Sequence, residues 1–178
     1  MNENPENFWD GIPIVARSAL SPETCGVSEA IFLNRADIRA AATRLMENGF
    51  HLEDITGLDF AEGIEVRYHF STEKALSRVA LRMLVNRENP EVPSIFDIVP
   101  AAEWHERECF DFYGVKFTGH PRLRPILLPA DLGFHPLIKE EKARQSLYSL
   151  MEGYPPLGPA RGEMYIFEAS EGEGENRQ

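Results

Sequence analysis

Between residues 64 and 71 apolar and polar side chains alternate without a break. Ile64, Val66, Tyr68 and Phe70 fall on one face of an extended chain, and Glu65, Arg67, His69 and Ser71 on the other. A period of two gives no single stripe on a helix, so this stretch predicts a strand with one buried face. Its neighbours conform. Residues 50–58 read as a strand, residues 59–63 as the turn out of it, and residues 77–86 as a third strand with Val79, Leu81, Met83 and Val85 on one face. Upstream, residues 35–48 carry the stripe Ile38, Ala41, Ala42 and Leu45 of an amphipathic helix. Asn34 stands as its cap, Asp37 near its positive end and Gly49 as its stop. A helix before a three-stranded antiparallel meander covers one face of the sheet and leaves the other open to a second helix or another protein.

The fold class expected is therefore α+β: an antiparallel sheet covered by helices on one face, followed by a charged helix and an extended proline-rich C-terminal arm. Three regions are expected along the 178 residues. Residues 1–29, with three prolines and no sustained period, read as a mobile or partner-ordered extension. Residues 30–118 form the α+β domain, and residues 119–178 an interaction arm ending in the acidic stretch 168–178, which reads as a disordered tail.

Charge and cysteine content narrow the function. A net charge of −11 offers no basic surplus for nucleic acid. No apolar run approaches the roughly 20 residues that span a bilayer, and residues 1–10 show neither a secretory nor a transit signal. Cys25 and Cys109 are too few to hold an iron–sulfur cluster or an all-cysteine zinc, and read as buried small residues. Any electron-transfer centre then belongs to a partner. His51 and His69 fall on polar strand faces and read as solvated.

The densest chemistry lies in residues 94–139. Ser94 is placed to cap a short turn, with Asp97 in capping-box position, and Pro100 suits the first turn of a helix over 101–113 that Gly114 ends. Glu103, Arg107 and Asp111 recur every four residues, so Arg107 can pair with a carboxylate above and below, as in a salt-bridged solvated helix. His105 and Cys109 stand one turn apart in a broken version of the zinc-protease HExxH pattern, without an evident third ligand. Glu106 and Glu108 project to different faces and cannot share a substrate. The glycine- and proline-rich residues 153–162 lack the lysine of a phosphate loop. Nothing in this makes a self-contained active site.

One run of residues carries a resemblance. Glu106-Arg107-Glu108, Asp111, Tyr113-Gly114-Val115 and Phe117 are followed by Gly119-His120-Pro121, Leu123-Arg124, Ile126-Leu127 and His135-Pro136-Leu137. The pattern resembles the C-subunit family of respiratory complex I (NADH:quinone oxidoreductase), whose relatives include subunits of energy-converting nickel–iron hydrogenases and formate hydrogenlyases. The likeness extends over roughly residues 30–140. Two departures, Arg124-Pro125 in place of Arg-Arg and Ile138-Lys139-Glu140 in place of Arg-Lys-Asp, favour the hydrogenase-type relatives.

The resemblance implies a cofactor-free structural subunit of the peripheral arm, on the cytoplasmic side of the cell membrane. It would pack against the large catalytic subunit and iron–sulfur subunits, whose clusters do the electron chemistry. The enzyme is then the oxidoreductase complex, and the isolated chain is non-catalytic. The subunit interface implied comprises Glu106, Arg107, Glu108, Asp111, Tyr113, Gly114, His120, Pro121, Arg122, Arg124, His135 and Lys139. Arg107, Arg122 and Arg124 are expected to pair with partner or intrachain carboxylates. The prolines of the arm forbid regular structure, so partners are expected to satisfy its buried backbone groups. The alternatives are a free-standing zinc hydrolase using His105 and Cys109, and a soluble adaptor protein.

Overall fold

A computed structural model describes residues 8–73 and 77–147 of the chain. The alternating stretch is strand β4 (Gly63–Thr72), between β3 (His51–Phe60) and β5 (Ser77–Val85), and the three form an antiparallel meander. A hairpin of β1 (Ile14–Ala19) and β2 (Glu29–Leu33) joins the free edge of β5, with β2 parallel to it. The sheet order is β1-β2-β5-β4-β3. One cross-strand row shows how register builds the core. Ile31, Leu81, Tyr68 and Ile55 stand side by side on four strands, and all four are buried.

Helices cover that face. Helix α2 (Ile38–Glu47) turns Ile38, Ala41, Ala42 and Leu45 into the core, as their spacing requires. Helix α3 (Ala102–Tyr113) adds Ala102 and Cys109 to the same core. Its last turn lies close on β3, because a Cβ at Gly57 would come within 2.5 Å of the Tyr113 ring. A short parallel pair, β6 (Glu91–Pro93) and β7 (Lys116–Thr118), frames α3 at both ends.

Several local expectations are corrected. The segment read as a mobile extension enters the sheet at Ile14, and Trp9 and Ile12 are buried in the main core. Its strands are too short and mixed to show a period; Trp9 is fixed by Glu29 across the hairpin, an interaction no local pattern announces. Residues 35–37 form a 3-10 turn ahead of α2, and the Asn34 side chain makes no capping bond. Cys109 is buried as expected, whereas Cys25 is exposed at the end of a four-residue helical turn, α1 (Pro22–Cys25). His69 bonds Asp54 at 2.8 Å and His51 bonds Ser71 at 2.9 Å.

The opposite face of the sheet holds a second, smaller core of Ala16, Ala30, Phe32, Phe60, Ala80 and Leu147. Glu65 is buried there between Arg82 and Arg67, and the Arg82 guanidinium lies 4.4 Å over the Phe32 ring. Burial pushes the Glu65 carboxyl up, and the two guanidiniums outweigh that, leaving it below the usual carboxylate range.

Candidate interaction surface

Helix α3 turns charge inward on two sides. Glu106 shares the buried stripe with Ala102 and Cys109 and is 0% exposed. It accepts hydrogen bonds from the Ser94 hydroxyl at 2.6 Å and the Ile95 N–H at 2.8 Å, which tie the helix to the loop after β6. Burial nevertheless dominates these donors and raises its pKa to about 7. The neighbouring Tyr68 hydroxyl is fully buried and has no hydrogen-bond partner among the described residues. Burial, then the charge of Glu106, pushes the Tyr68 phenol and the Cys109 thiol up. A thiol held protonated in the core is a poor metal ligand. Among the described residues no three His, Cys, Asp or Glu side chains gather as a metal set, so the His105–Cys109 hydrolase gains no support.

Ser94 caps the turn as expected, its hydroxyl accepting from the Phe96 N–H, and it also donates to Glu106. Asp97, expected to complete the capping box, instead forms a two-pronged pair with Arg39 of α2. This pair is exposed, and Arg39 holds the Asp97 carboxyl below its ordinary value.

On its second side α3 grips the arm. Arg107 donates to the carbonyls of Arg124 at 3.1 Å and Pro125 at 3.2 Å, with its guanidinium 5.3 Å from the centre of the Trp104 ring. One turn on, the Asp111 Oδ2 accepts the backbone N–H groups of Ile126, Leu127 and Leu128 at 2.8, 2.8 and 3.2 Å. Burial raises the Asp111 pKa, but these donors and Arg107 outweigh it and hold the carboxyl below its ordinary value. The helix expected to be salt-bridged and solvated is thus buried at Glu106, Arg107 and Asp111. Arg107 serves carbonyls and not the carboxylate above it.

The rest of the arm is fastened in the same manner. His120 donates from Nε2 to the Glu103 carbonyl at 3.2 Å and accepts the Arg122 N–H on Nδ1 at 3.0 Å, which assigns the neutral Nε2–H tautomer. Arg122 pairs with Glu103. His135 Nδ1 donates to the Asp111 carbonyl at 2.8 Å, and the Leu137 N–H donates to that of Phe112. The close seat of His135 depends on Gly114, whose φ is 75° and whose missing side chain would stand 2.7 Å from the imidazole. Further on, buried Asp59 accepts from the Lys139 N–H, Arg144 and Arg87. Glu62 accepts from the Leu147 N–H. Backbone groups expected to await a partner are met in part within the chain, N–H groups of Ile126, Leu127, Leu128 and Lys139 by carboxylates and the carbonyls of Arg124, Pro125 and Lys139 by arginines.

The residues implied as an interface therefore divide. Glu106, Arg107 and Asp111 are internal, Tyr113 and Gly114 seat the helix end, and His120 and His135 fasten the arm. Glu108, Pro121, Arg122, Arg124 and Lys139 are exposed. Arg124 has neither an ion pair nor a side-chain hydrogen bond among the described residues. Around them are exposed apolar side chains outside that implied set: Trp104 at 59%, Leu127 at 63%, Phe134 at 62% and Leu137 at 45% exposure. Asp59 and Glu62 were also missed as anchors, because their partners lie some 80 residues away.

Comparison with known proteins agrees with this architecture. Residues 31–146 match the family model described as the respiratory-chain NADH dehydrogenase, 30 Kd subunit. The NADH-quinone oxidoreductase C subunit of Moorella thermoacetica is 40% identical over 62% of this chain and 78% of its own length. Its counterpart in Chloroherpeton thalassium is 35% identical over 84% of this chain and 62% of its own length. The matches to the two Roseiflexus proteins span 53% of their length. Among solved structures, a chain of the membrane-bound sulfane sulfur reductase, an archaeal respiratory membrane complex, superposes with a TM-score of 0.64. It is 23% identical, over 90% of this chain and 96% of that one, and shows the fold. By the match over residues 31–146, the chain belongs to the family of the 30 Kd subunit of respiratory-chain NADH dehydrogenase, which includes the C subunits of NADH-quinone oxidoreductases.

Proposed function

We propose that this chain is a cofactor-free, non-catalytic subunit in the peripheral arm of a complex I-type oxidoreductase. There it packs against the large catalytic subunit and iron–sulfur subunits on the cytoplasmic side of the membrane. The observation that carries this is the fastened arm. Residues 119–147 form almost no regular structure, yet carboxylates and histidines pin them while Trp104, Leu127, Phe134 and Leu137 face outward. Exposed aromatic and aliphatic groups on a well-anchored surface mark an interaction site. No described helix is long and apolar enough to cross a membrane, and in this reading the chain is attached through other subunits. The names of the relatives favour the complex I type over the hydrogenase type to which the departures at Pro125 and Ile138 pointed.

The test is to isolate the native assembly through an affinity tag on this chain. The expected preparation oxidises NADH with a quinone acceptor and shows the electron paramagnetic resonance of reduced iron–sulfur clusters. The chain purified alone is expected to show neither. Hydrogen evolution by the assembly would move it to the hydrogenase type. Catalysis by the chain alone would overturn the proposal.

A further inference from the structure

The arm differs in charge from the body that carries it. Residues 116–144 hold six Lys or Arg against three Asp or Glu, leaving twelve against 26 in the rest of the chain. A basic strip thus crosses a strongly acidic protein. Part of that charge is already paired: Arg122 with Glu103, and Arg144 with Asp59. Arg124 and Lys139 are different. The Arg124 carbonyl is held by Arg107, and the Lys139 N–H and carbonyl are held by Asp59 and Arg144. Their backbones are fixed, while both side chains are exposed and have no ion pair among the described residues. Each stands within three residues of an exposed leucine, Leu127 beside Arg124 and Leu137 beside Lys139.

We infer that the occupant of this face is a protein surface bearing carboxylates at the edge of an apolar centre, and that Arg124 and Lys139 select it. This rests on the proposal that the face meets a partner subunit. An acidic partner is repelled by the body and attracted only along the strip, which fixes its orientation as well as its affinity. Cations whose backbones are already held lose less freedom on binding than cations on a loose loop. An anionic bilayer is the competing occupant. The strip suits it less well: four of its cations, Lys116, Arg124, Lys139 and Lys142, have no ion pair among the described residues, the low end of the about 4–8 that lipid recognition uses, and the body that carries them is itself acidic.

The experiment uses the complex in its native membrane, with two variants of this chain. Arg124→Glu/Lys139→Glu reverses the charges, and Trp104→Ala/Leu127→Ala removes apolar contacts; circular dichroism checks that each still folds. The charge variant is expected to dissociate from its partners at least about tenfold more readily, with a gap that narrows between about 0.05 and 0.5 M salt. If the charge variant assembles normally while the apolar variant does not, the acidic partner is wrong and the interface stands. If both assemble normally, the face is not the interface, and the proposed packing falls with it. Sedimentation of the isolated chain with phosphatidylglycerol vesicles is expected to leave it in solution. Binding to them that the charge reversal abolishes would hand the face to the membrane and overturn the inference.

Discussion

Asp111→Ala is expected to loosen residues 123–134 of the arm, up to the anchor at His135, while leaving the five-stranded sheet folded. The carboxylate is buried and takes three backbone N–H groups of Ile126, Leu127 and Leu128 on one oxygen. Hydrogen bonds to a charged acceptor contribute about 1.5–3 kcal/mol each, and a released arm regains some of that from water. A loss of about 3–5 kcal/mol in the free energy that holds the arm follows, larger than most single substitutions produce. Limited proteolysis with trypsin would show it as rapid cleavage after Arg122, the Arg124–Pro125 bond being resistant, with the fragment containing the sheet intact. Asp111→Asn keeps one acceptor but sets an N–H₂ among the donors, so an intermediate result is expected. The folded pKa of Asp111 lies below its unfolded value. Its stabilisation is therefore present above the unfolded pKa and is lost as pH falls through the folded one, so the arm loosens only in acid.

Glu106 behaves with the opposite sign. Its folded pKa of about 7 lies above the ordinary 4.5, so the folded protein binds a proton that the unfolded chain has released between those values. Stability from this group is full below about 4.5, falls as pH rises to about 7, and amounts to roughly 3 kcal/mol over that window. Tyr68 and Cys109 in the core, and Asp97 and Arg39 at the loop and α2, are the titratable and charged groups that act on it or feel it. Glu106→Gln keeps an acceptor for Ile95 and removes the buried charge. Relative to the native protein it is expected to gain stability as pH is raised from 5 to 8. Glu106→Ala instead strands the Ser94 hydroxyl and the Ile95 N–H and is expected to be about 2–4 kcal/mol less stable than Glu106→Gln at either pH. Urea midpoints at pH 5 and pH 8 separate these outcomes. Parallel pH profiles for Glu106→Gln and the native chain would show that Glu106 does not titrate in this range.

The contrast between these two residues shows what was legible in the chain. Alternation at Ile64, Val66, Tyr68 and Phe70, and the stripe of Ile38, Ala41, Ala42 and Leu45, are repeated local signals, and each became the element it predicted. Helix α3 was also placed correctly, from Pro100 and Gly114. Its charges were misjudged because spacing along a helix does not say which face is covered. Glu106, Arg107 and Asp111 look like solvated residues until the loop at Ser94 and the arm at Ile126 fold over them. The β1–β2 hairpin was illegible for a related reason. Of its short strands, β2 is defined by pairing with β5, 50 residues away, and β1 by pairing with β2, and neither by any period of its own. Asp59 was visible only as a turn residue, although it holds Arg87, Lys139 and Arg144 together.

An arm that the chain fastens for itself, before any partner arrives, is the feature from which the interface follows. Amide hydrogen exchange of the isolated protein measures this at Ile126, Leu127, Leu128 and Lys139, whose N–H groups are bonded to Asp111 and Asp59. Exchange slowed by at least about tenfold relative to an unstructured peptide is the predicted result, with Asp111→Ala abolishing it at the first three positions. Exchange at the free-peptide rate in the isolated chain, with protection appearing only in the assembled complex, would contradict it.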